Sequence, residues 1–356
     1  MKYKILAINP GSTSTKIAIY ENEELLLKKN IRHNSEYIST FDTIIDQYEF
    51  RKDAILNTLK EANIDLNDLD AVVGRGGMLK PIKGGTYLVN DAMIEYIKAA
   101  PRGEHASNLG CVLAKELADS INKPSFIVDP VAVDEMDELA RYTGMPEIKR
   151  QSLFHALNQK AVALKAATKL NKNYNDINLI VAHLGGGISV GVHQKGKIID
   201  VNNALDGDGP MSPERSGGVP IGPLYNMAFS GDYTLKEIKR KNYGNGGLVA
   251  YLGTNDGFEI EKMIKAGNKK ALFIVEVMCY QIAKEIGSCS TVLKGDVDAI
   301  VITGGLAYDQ LILDFISDRV SFISQILVFP GEDEMEALAF GALRVLKNEE
   351  KYREYI

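Results

Sequence analysis

Apolar positions along the chain fall into two alternating patterns, short continuous runs and longer stretches at helical spacing. The run Ile5-Leu6-Ala7-Ile8 ends in a polar turn, Asn9-Pro10-Gly11-Ser12-Thr13-Ser14-Thr15-Lys16, and returns as the alternating Ile17-Ala18-Ile19-Tyr20. About halfway along, Leu179-Ile180-Val181-Ala182 ends in His183-Leu184-Gly185-Gly186-Gly187 and returns as Ile188-Ser189-Val190-Gly191-Val192. Asn9-x-Gly11 and His183-x-Gly185 superimpose at an offset of 174 residues, from 9 to 183. A third alternation follows each pair, Glu24-Leu25-Leu26-Leu27 and Lys197-Ile198-Ile199-Asp200. The pattern predicts strand, tight turn and two further strands, twice.

Helical spacing dominates the intervals. It predicts helices over 40–62 (Ile44, Ile45, Tyr48, Ile55 and Leu59 on one face), 91–98, 107–120, 152–170, 224–230, 234–241, 259–293 and 334–347. Buried strands are expected at Asp70–Val73, Ser125–Val128, Asp298–Ile302 and Gln325–Val328. Strands alternating with helical crossovers predict an α/β fold with parallel pairing. The duplicated β-β-β-α-β-α-β order predicts two similar lobes with an interdomain cleft. The first lobe is expected over 1–148, with a C-terminal helix of about 336–356 packing back on it, and the second over 149–335.

Composition narrows the class without naming a chemistry. With 356 residues, 45% apolar and 25% charged, the chain has material for two ordinary cores. A net charge of -6 gives no reason to expect a nucleic-acid partner, and an anionic substrate would need a local positive site. No apolar run approaches membrane-spanning length, and the N-terminus runs straight into a strand, so no membrane partner is expected and the location is expected to be cytoplasmic. Cys111, Cys279 and Cys289 are too scattered for a disulfide frame or zinc site and are expected as reduced thiols in helices.

The turns carry the chemistry. Hydroxyls and backbone N–H groups in a tight turn form an anion-binding concavity, and glycine lets the backbone approach a phosphate. Gly11, Ser12 and Ser14 supply such a turn, and Lys16 adds charge beside it. Gly185, Gly186 and Gly187 supply the second, and Gly304-Gly305 closes a third buried strand. Three such turns, all at strand ends, point to nucleotide binding.

These residues resemble the signature motifs of the acetate kinase family, in Asn9–Lys16 and His183–Ser189. Phe154-His155, Arg215-Ser216-Gly217 and Pro330-Gly331-Glu332-Asp333-Glu334 follow in the family's order. Val73–Gly77, Gly103–Asn108 and Val128–Met136 resemble its butyrate kinase branch. The resemblance implies the superfold shared with sugar kinases, actin and chaperone ATPases, and an ATP/ADP- and Mg2+-dependent transfer between butyrate and butyryl phosphate. It implies that His155 and Arg215 stabilise the transition state, that His183 contacts the transferred phosphoryl, and that Asn9 and Glu334 associate with the metal. By the same resemblance Arg75 lies in the active site, Asp129 orients an arginine, and Gly304, Gly305 and Leu306 form part of the adenosine site. A homodimer or higher homo-oligomer paired through the second lobe is also implied.

Each assignment has a plainer counterpart: a helix cap or core position for His155, a solvated loop for Arg215, a turn before Pro130 for Asp129, a helix-dipole carboxylate for Glu334. Arg75-Gly76-Gly77 replaces the family's His-Gly-Gly, and Gln159 replaces another histidine, which turns the expectation away from acetate itself. Sugar kinases of that superfold place an aspartate in the first turn and another to deprotonate the attacking hydroxyl; here the first turn has Asn9, and a carboxylic acid with a pKa of about 4–5 needs no general base. Isobutyrate, propionate, acetate or another short or branched acid is the alternative substrate, and an actin-like nucleotide switch the alternative class. His105 is expected either to line the acyl pocket or to serve a helix start. His33 and His193 fall in hairpin contexts that read as surface. Asp206-Gly207-Asp208-Gly209 lacks the spacing of a calcium loop. The tail 347–353 reads as a solvated helix end.

Overall fold

The structure, a computed structural model, describes residues 2–356. The chain divides into two units, Met1–Val133 with Asp333–Ile356, and Asp134–Glu332.

The first unit is built on a six-stranded sheet in the order β3-β2-β1-β4-β6-β5. Its strands are β1 (Lys4–Pro10), β2 (Ser14–Glu21), β3 (Glu24–Arg32), β4 (Ala71–Gly74), β5 (Thr86–Leu88) and β6 (Ser125–Val128). β1, β4 and β6 run parallel, while β2, β3 and β5 pair antiparallel to their neighbours. β1 is central and covered on both faces, which is why it reads as an unbroken apolar run rather than an alternation. Leu6, Ile8, Ile17 and Ile19 pack with Ile55, Leu59, Leu109 and Leu113 from the helices Tyr48–Glu61 and Asn108–Asp119. The helix Glu334–Leu346 lies against β1, β4 and β6. β3 is the exposed edge, and Lys28 and Lys29 protect it from pairing with another strand.

The second unit repeats the arrangement with five strands in the order β11-β10-β7-β8-β9. These are β7 (Asn178–Leu184), β8 (Ile188–Gln194), β9 (Lys197–Val201), β10 (Ala299–Gly304) and β11 (Ile326–Pro330). β7 takes the place of β1, with antiparallel β8 on one side and parallel β10 on the other. The helix Lys269–Val292 covers one face through Ile274, Met278, Ile282 and Ile286. The helix Ala156–Lys169 covers the other through Val162, Ala163 and Ala166. The expected α/β class and its duplicated strand order are thus borne out.

Several local expectations are corrected. The stretch 259–293 is two helices, Gly257–Lys265 and Lys269–Val292. Gly267, at φ 84°, breaks the path, and the Asn268 side chain caps the second helix at Ala271 N. The stretch 40–62 is helical only from a 3-10 turn at Ile45–Gln47 onward, and 152–170 only from Ala156. β5 carries no periodic signal in its three residues. The tail is not a solvated helix end: after Leu346 the chain lies along β5, with Arg353 N donating to Thr86 O and Leu88 N to Arg353 O. Tyr355 is buried. The three cysteines are buried, free and helical, as expected. Among the described residues no helix is long and apolar enough to cross a membrane.

His33 and His193 are buried rather than superficial. His33 meets Thr15 Oγ1 at 2.8 Å and packs edge-on against Phe50. Burial, then the charge of Arg51, lowers its pKa from 6.5 to about 4. Burial, then Lys160, lowers that of His193. Each ring is therefore neutral in the fold, and the unfolded chain binds protons first on acidification. Stability from these rings is complete above about pH 6.5 and is lost as pH falls toward 4. Denaturation midpoints measured over that window should fall, and His33→Gln should flatten the slope.

Candidate functional site

In the first unit the residues converge at the C-terminal end of β1. Asn9 is buried there and stands opposite Lys16 on β2, which places both side chains on one face of the hairpin. The turn between them is closed by Gly11 N donating to Ser14 O at 2.7 Å. Arg75 follows β4, its backbone N held by Ile8 O at 2.9 Å. Glu334 begins the helix Glu334–Leu346 and accepts from two sides: Arg75 Nη1 donates to Oε1, and Asn9 Nδ2 donates to Oε2 at 2.6 Å. Asn9, Arg75 and Glu334 therefore form one cluster although they come from opposite ends of the sequence.

Asp129 follows β6 with φ 36°, an uncommon conformation for a side-chain-bearing residue, and is buried. Its Oδ1 accepts from Gly85 N at 2.7 Å, and its own N donates to Gly85 O. His105 Nδ1 accepts from Ser107 N at 3.2 Å and meets Ser107 Oγ at 2.7 Å, just before the helix Asn108–Asp119. That is the geometry of a helix-start residue.

Behind the turn lies a group absent from the sequence expectations. Arg51 has no exposed surface. Its Nη2 donates to Ser12 O, its Nη1 to Ser14 O and Thr15 Oγ1, and its Nε and Nη2 to Gln47 Oε1. Burial lowers its pKa to about 10, so it stays charged at neutral pH. The signal was present: Arg51 shares the i, i+4, i+8 line of Ile55 and Leu59, the buried face of its helix.

In the second unit two histidines meet at the end of β7. His183 closes β7, and His155 immediately precedes the helix Ala156–Lys169. Their rings stack at 3.9 Å and 17°. His183 Nδ1 meets Asn158 Oδ1 at 2.7 Å. Its Nε2 lies 3.1 Å from Glu332 Oε1 but outside hydrogen-bond geometry, so the near approach is electrostatic and a buried polar atom is left for another partner. The Gly185–Gly187 turn closes through Gly185 N donating to Gly187 O.

Arg215 reaches this turn. Its Nη1 donates to Ala204 O at 2.6 Å, and the guanidinium sits 4.9 Å from the centre of the Tyr243 ring. A Cβ on Gly187 would fall 1.3 Å from Arg215 Nη1, so the bare backbone of Gly187 is the slot in which the guanidinium lies. Gly187→Ala should evict it. The flexible guanidinium can yield, so the melting temperature should hold; if Arg215 is the charge-stabilising donor the resemblance implies, activity should fall about 10²-fold. Turnover assays alongside Arg215→Ala check this.

Gly304 ends β10 at φ 92°, with Leu184 O 2.3 Å from where its Cβ would be. It exchanges backbone hydrogen bonds with Gly331. Gly305 faces open space, and Leu306 is partly buried against the core. The structure thus brings together His155, His183, Gly185, Gly186, Gly187 and Arg215 in the second unit. It brings together Asn9, Lys16, Arg75 and Glu334 in the first. The acidic run Glu332-Asp333-Glu334 is divided between units, with Glu332 beside His183 and Glu334 beside Asn9.

Residues 141–314 match the model of the Acetokinase family, so this stretch carries that family's sequence pattern. Three solved structures are similar over nearly the full length. An acetate kinase from Porphyromonas gingivalis has a TM-score of 0.80 at 22% identity, over 97% of this chain and 100% of that one. A propionate kinase from Francisella tularensis subsp. tularensis SCHU S4 has 0.73 at 20%, over 95% and 98%. An acetate kinase from Entamoeba histolytica has 0.75 at 16%, over 95% and 98%. Likeness at these identities establishes a shared fold.

Proposed function

We propose that the protein is an ATP-dependent carboxylate kinase acting on a short-chain fatty acid, with butyrate or a close branched acid as substrate. The observation that carries this is the stacked His155–His183 pair on a glycine turn that also seats Arg215, within the stretch matching the Acetokinase family. Cationic and N–H donors are gathered at the turn, which suits a reaction in which a carboxylate approaches a charged phosphoryl group. The carboxylate oxygen attacks the γ-phosphorus of ATP, the bond to the β,γ-bridging oxygen breaks, and ADP leaves. The acid is already ionised at neutral pH, so no proton is removed and no general base is needed. Catalysis then rests on positioning and charge stabilisation.

In this reading the Gly185–Gly187 turn and the Gly11–Ser14 turn offer backbone N–H groups to phosphates, with Lys16 adding charge. His155, Arg215 and Arg75 stabilise the charge that develops on transfer, and His183 Nε2 meets the transferred group. Asp129 positions an arginine, and Gly304, Gly305 and Leu306 border adenosine. Magnesium fits the donor set: the Asn9 NH2 is taken by Glu334, which leaves Asn9 Oδ1 and the carboxylate as hard oxygen ligands. Bound there, the ion would neutralise phosphate charge. Exposed Ile221, Leu224, Tyr225 and Phe229, on and just after the helix Ile221–Ala228, support pairing of two copies.

Coupled ADP release with Mg-ATP across formate, acetate, propionate, butyrate, isobutyrate and valerate tests the proposal, with hydroxamate trapping of the acyl phosphate. Activity is expected to peak at four- or five-carbon acids and to be absent with a sugar. ADP release independent of any acid would overturn it in favour of a nucleotide switch.

A further inference from the structure

A chain of buried polar groups runs along β8, on the sheet face covered by the helix Ala156–Lys169, from Tyr174 to His155. Tyr174 Oη lies 2.8 Å from His193 Nδ1, and His193 Nε2 lies 3.0 Å from Gln159 Oε1. Gln159 Nε2 lies 3.1 Å from Ser189 O and 2.8 Å from Ser189 Oγ, and Ser189 Oγ lies 2.9 Å from His155 Nδ1. Gln159, Ser189 and His193 have no exposed surface. Gly191 makes room for the chain, since a Cβ there would fall 2.2 Å from Gln159 Oε1.

The direction of every proton follows from one acceptor. Ser189 O is a carbonyl and can only accept, so the Gln159 atom facing it is the NH2 and the atom facing His193 is the oxygen. His193 must then carry its proton on Nε2, and burial keeps the ring neutral, so its Nδ1 accepts from the Tyr174 hydroxyl. The Gln159 NH2 gives one proton to Ser189 O and the other to Ser189 Oγ. Among the described residues the buried Ser189 hydroxyl meets Gln159 and His155 alone, so its own proton goes to His155 Nδ1. All five bonds point the same way, toward His155.

We infer that Ser189 and Gln159 are positioning residues that hold His155 in the Nε2–H tautomer, so that it presents an N–H donor to the transferring phosphoryl without having to be charged. This deepens the kinase reading and rests on it for the role of that donor. Asn158 Oδ1 lies 2.7 Å from His183 Nδ1, so the two stacked rings are held by different partners. An imidazole released from its orienting partner loses the tautomer rather than the ring, and losses of about 10- to 100-fold are usual for such supporting hydrogen bonds.

The test reads the tautomer directly. Long-range 1H–15N correlation spectra of histidine-labelled full-length protein distinguish the two ring nitrogens, and His155→Gln assigns the His155 signals. His155 is expected as Nε2–H in the wild type and as a tautomer mixture in Ser189→Ala. Turnover of Ser189→Ala should fall about 10- to 100-fold with KM for ATP and acid little changed, and Ser189→Thr, which keeps the hydroxyl, should recover both signatures. His155 protonated at Nδ1 in the wild type would overturn the inference, as would an unchanged pattern in Ser189→Ala. The expected spectra from a protein that phosphorylates no carboxylic acid would uphold the lock and overturn only the kinase reading.

Discussion

Replacing His155 by alanine is expected to lower turnover about 10²–10³-fold, the usual loss when a donor aimed at developing charge is removed. The ring stacks flat on His183 and contributes no large apolar surface to a core, so the fold should survive. KM for ATP and for the acid should move only a few-fold, because on the proposed reading the interaction belongs to the transition state rather than to the bound substrates. Steady-state ADP release with varied acid and varied ATP separates the two parameters. A variant with unchanged kcat would remove His155 from the chemistry and return it to the plainer role of a residue at a helix start.

The second large effect concerns stability. Arg51→Met should destabilise the first unit by about 3–5 kcal/mol, because Ser12 O, Ser14 O, Thr15 Oγ1 and Gln47 Oε1 would all lose a buried donor. At this size that corresponds to a fall in melting temperature on the order of 10 °C. Circular dichroism is the suitable probe, since the chain contains no tryptophan. The guanidinium makes five donations that lysine cannot match, so Arg51→Lys should rescue only part of the loss. An unchanged melting temperature would mean that water or neighbouring groups satisfy the turn without it.

Most of the architecture was legible because its signals are periodic. β1, β7 and β10 are buried on both faces and so appear as unbroken apolar runs, and the turns after them are marked by glycine and hydroxyl residues. The clusters around Asn9 and His183 were legible for the same reason, since each sits where such a run stops. What was not legible depends on pairing between distant polar atoms. Ser189 and His193 look like ordinary residues of a β-hairpin, and only the fold places Gln159 between them. Arg51 left a trace in the helical period, but a lone cation on an apolar stripe says nothing about its acceptors. Within Glu332-Asp333-Glu334 the spacing does not separate the carboxylates, whereas the fold places Glu332 beside His183 and Glu334 beside Asn9.

The discontinuity of the first unit has a consequence for biosynthesis. The helix Glu334–Leu346 packs on β1, β4 and β6, yet the ribosome makes it after all of residues 134–332. During translation the second unit, one uninterrupted stretch, can complete its core first, while the older strands wait with one face uncovered. Arg75 and Asn9 likewise wait for Glu334, the only acidic group paired with Arg75 among the described residues. A nascent chain stalled before that helix would hold a finished second unit and an unfinished first one, a natural client for a chaperone. The bonds that Asn9 and Arg75 make to Glu334 would close only once that helix is made.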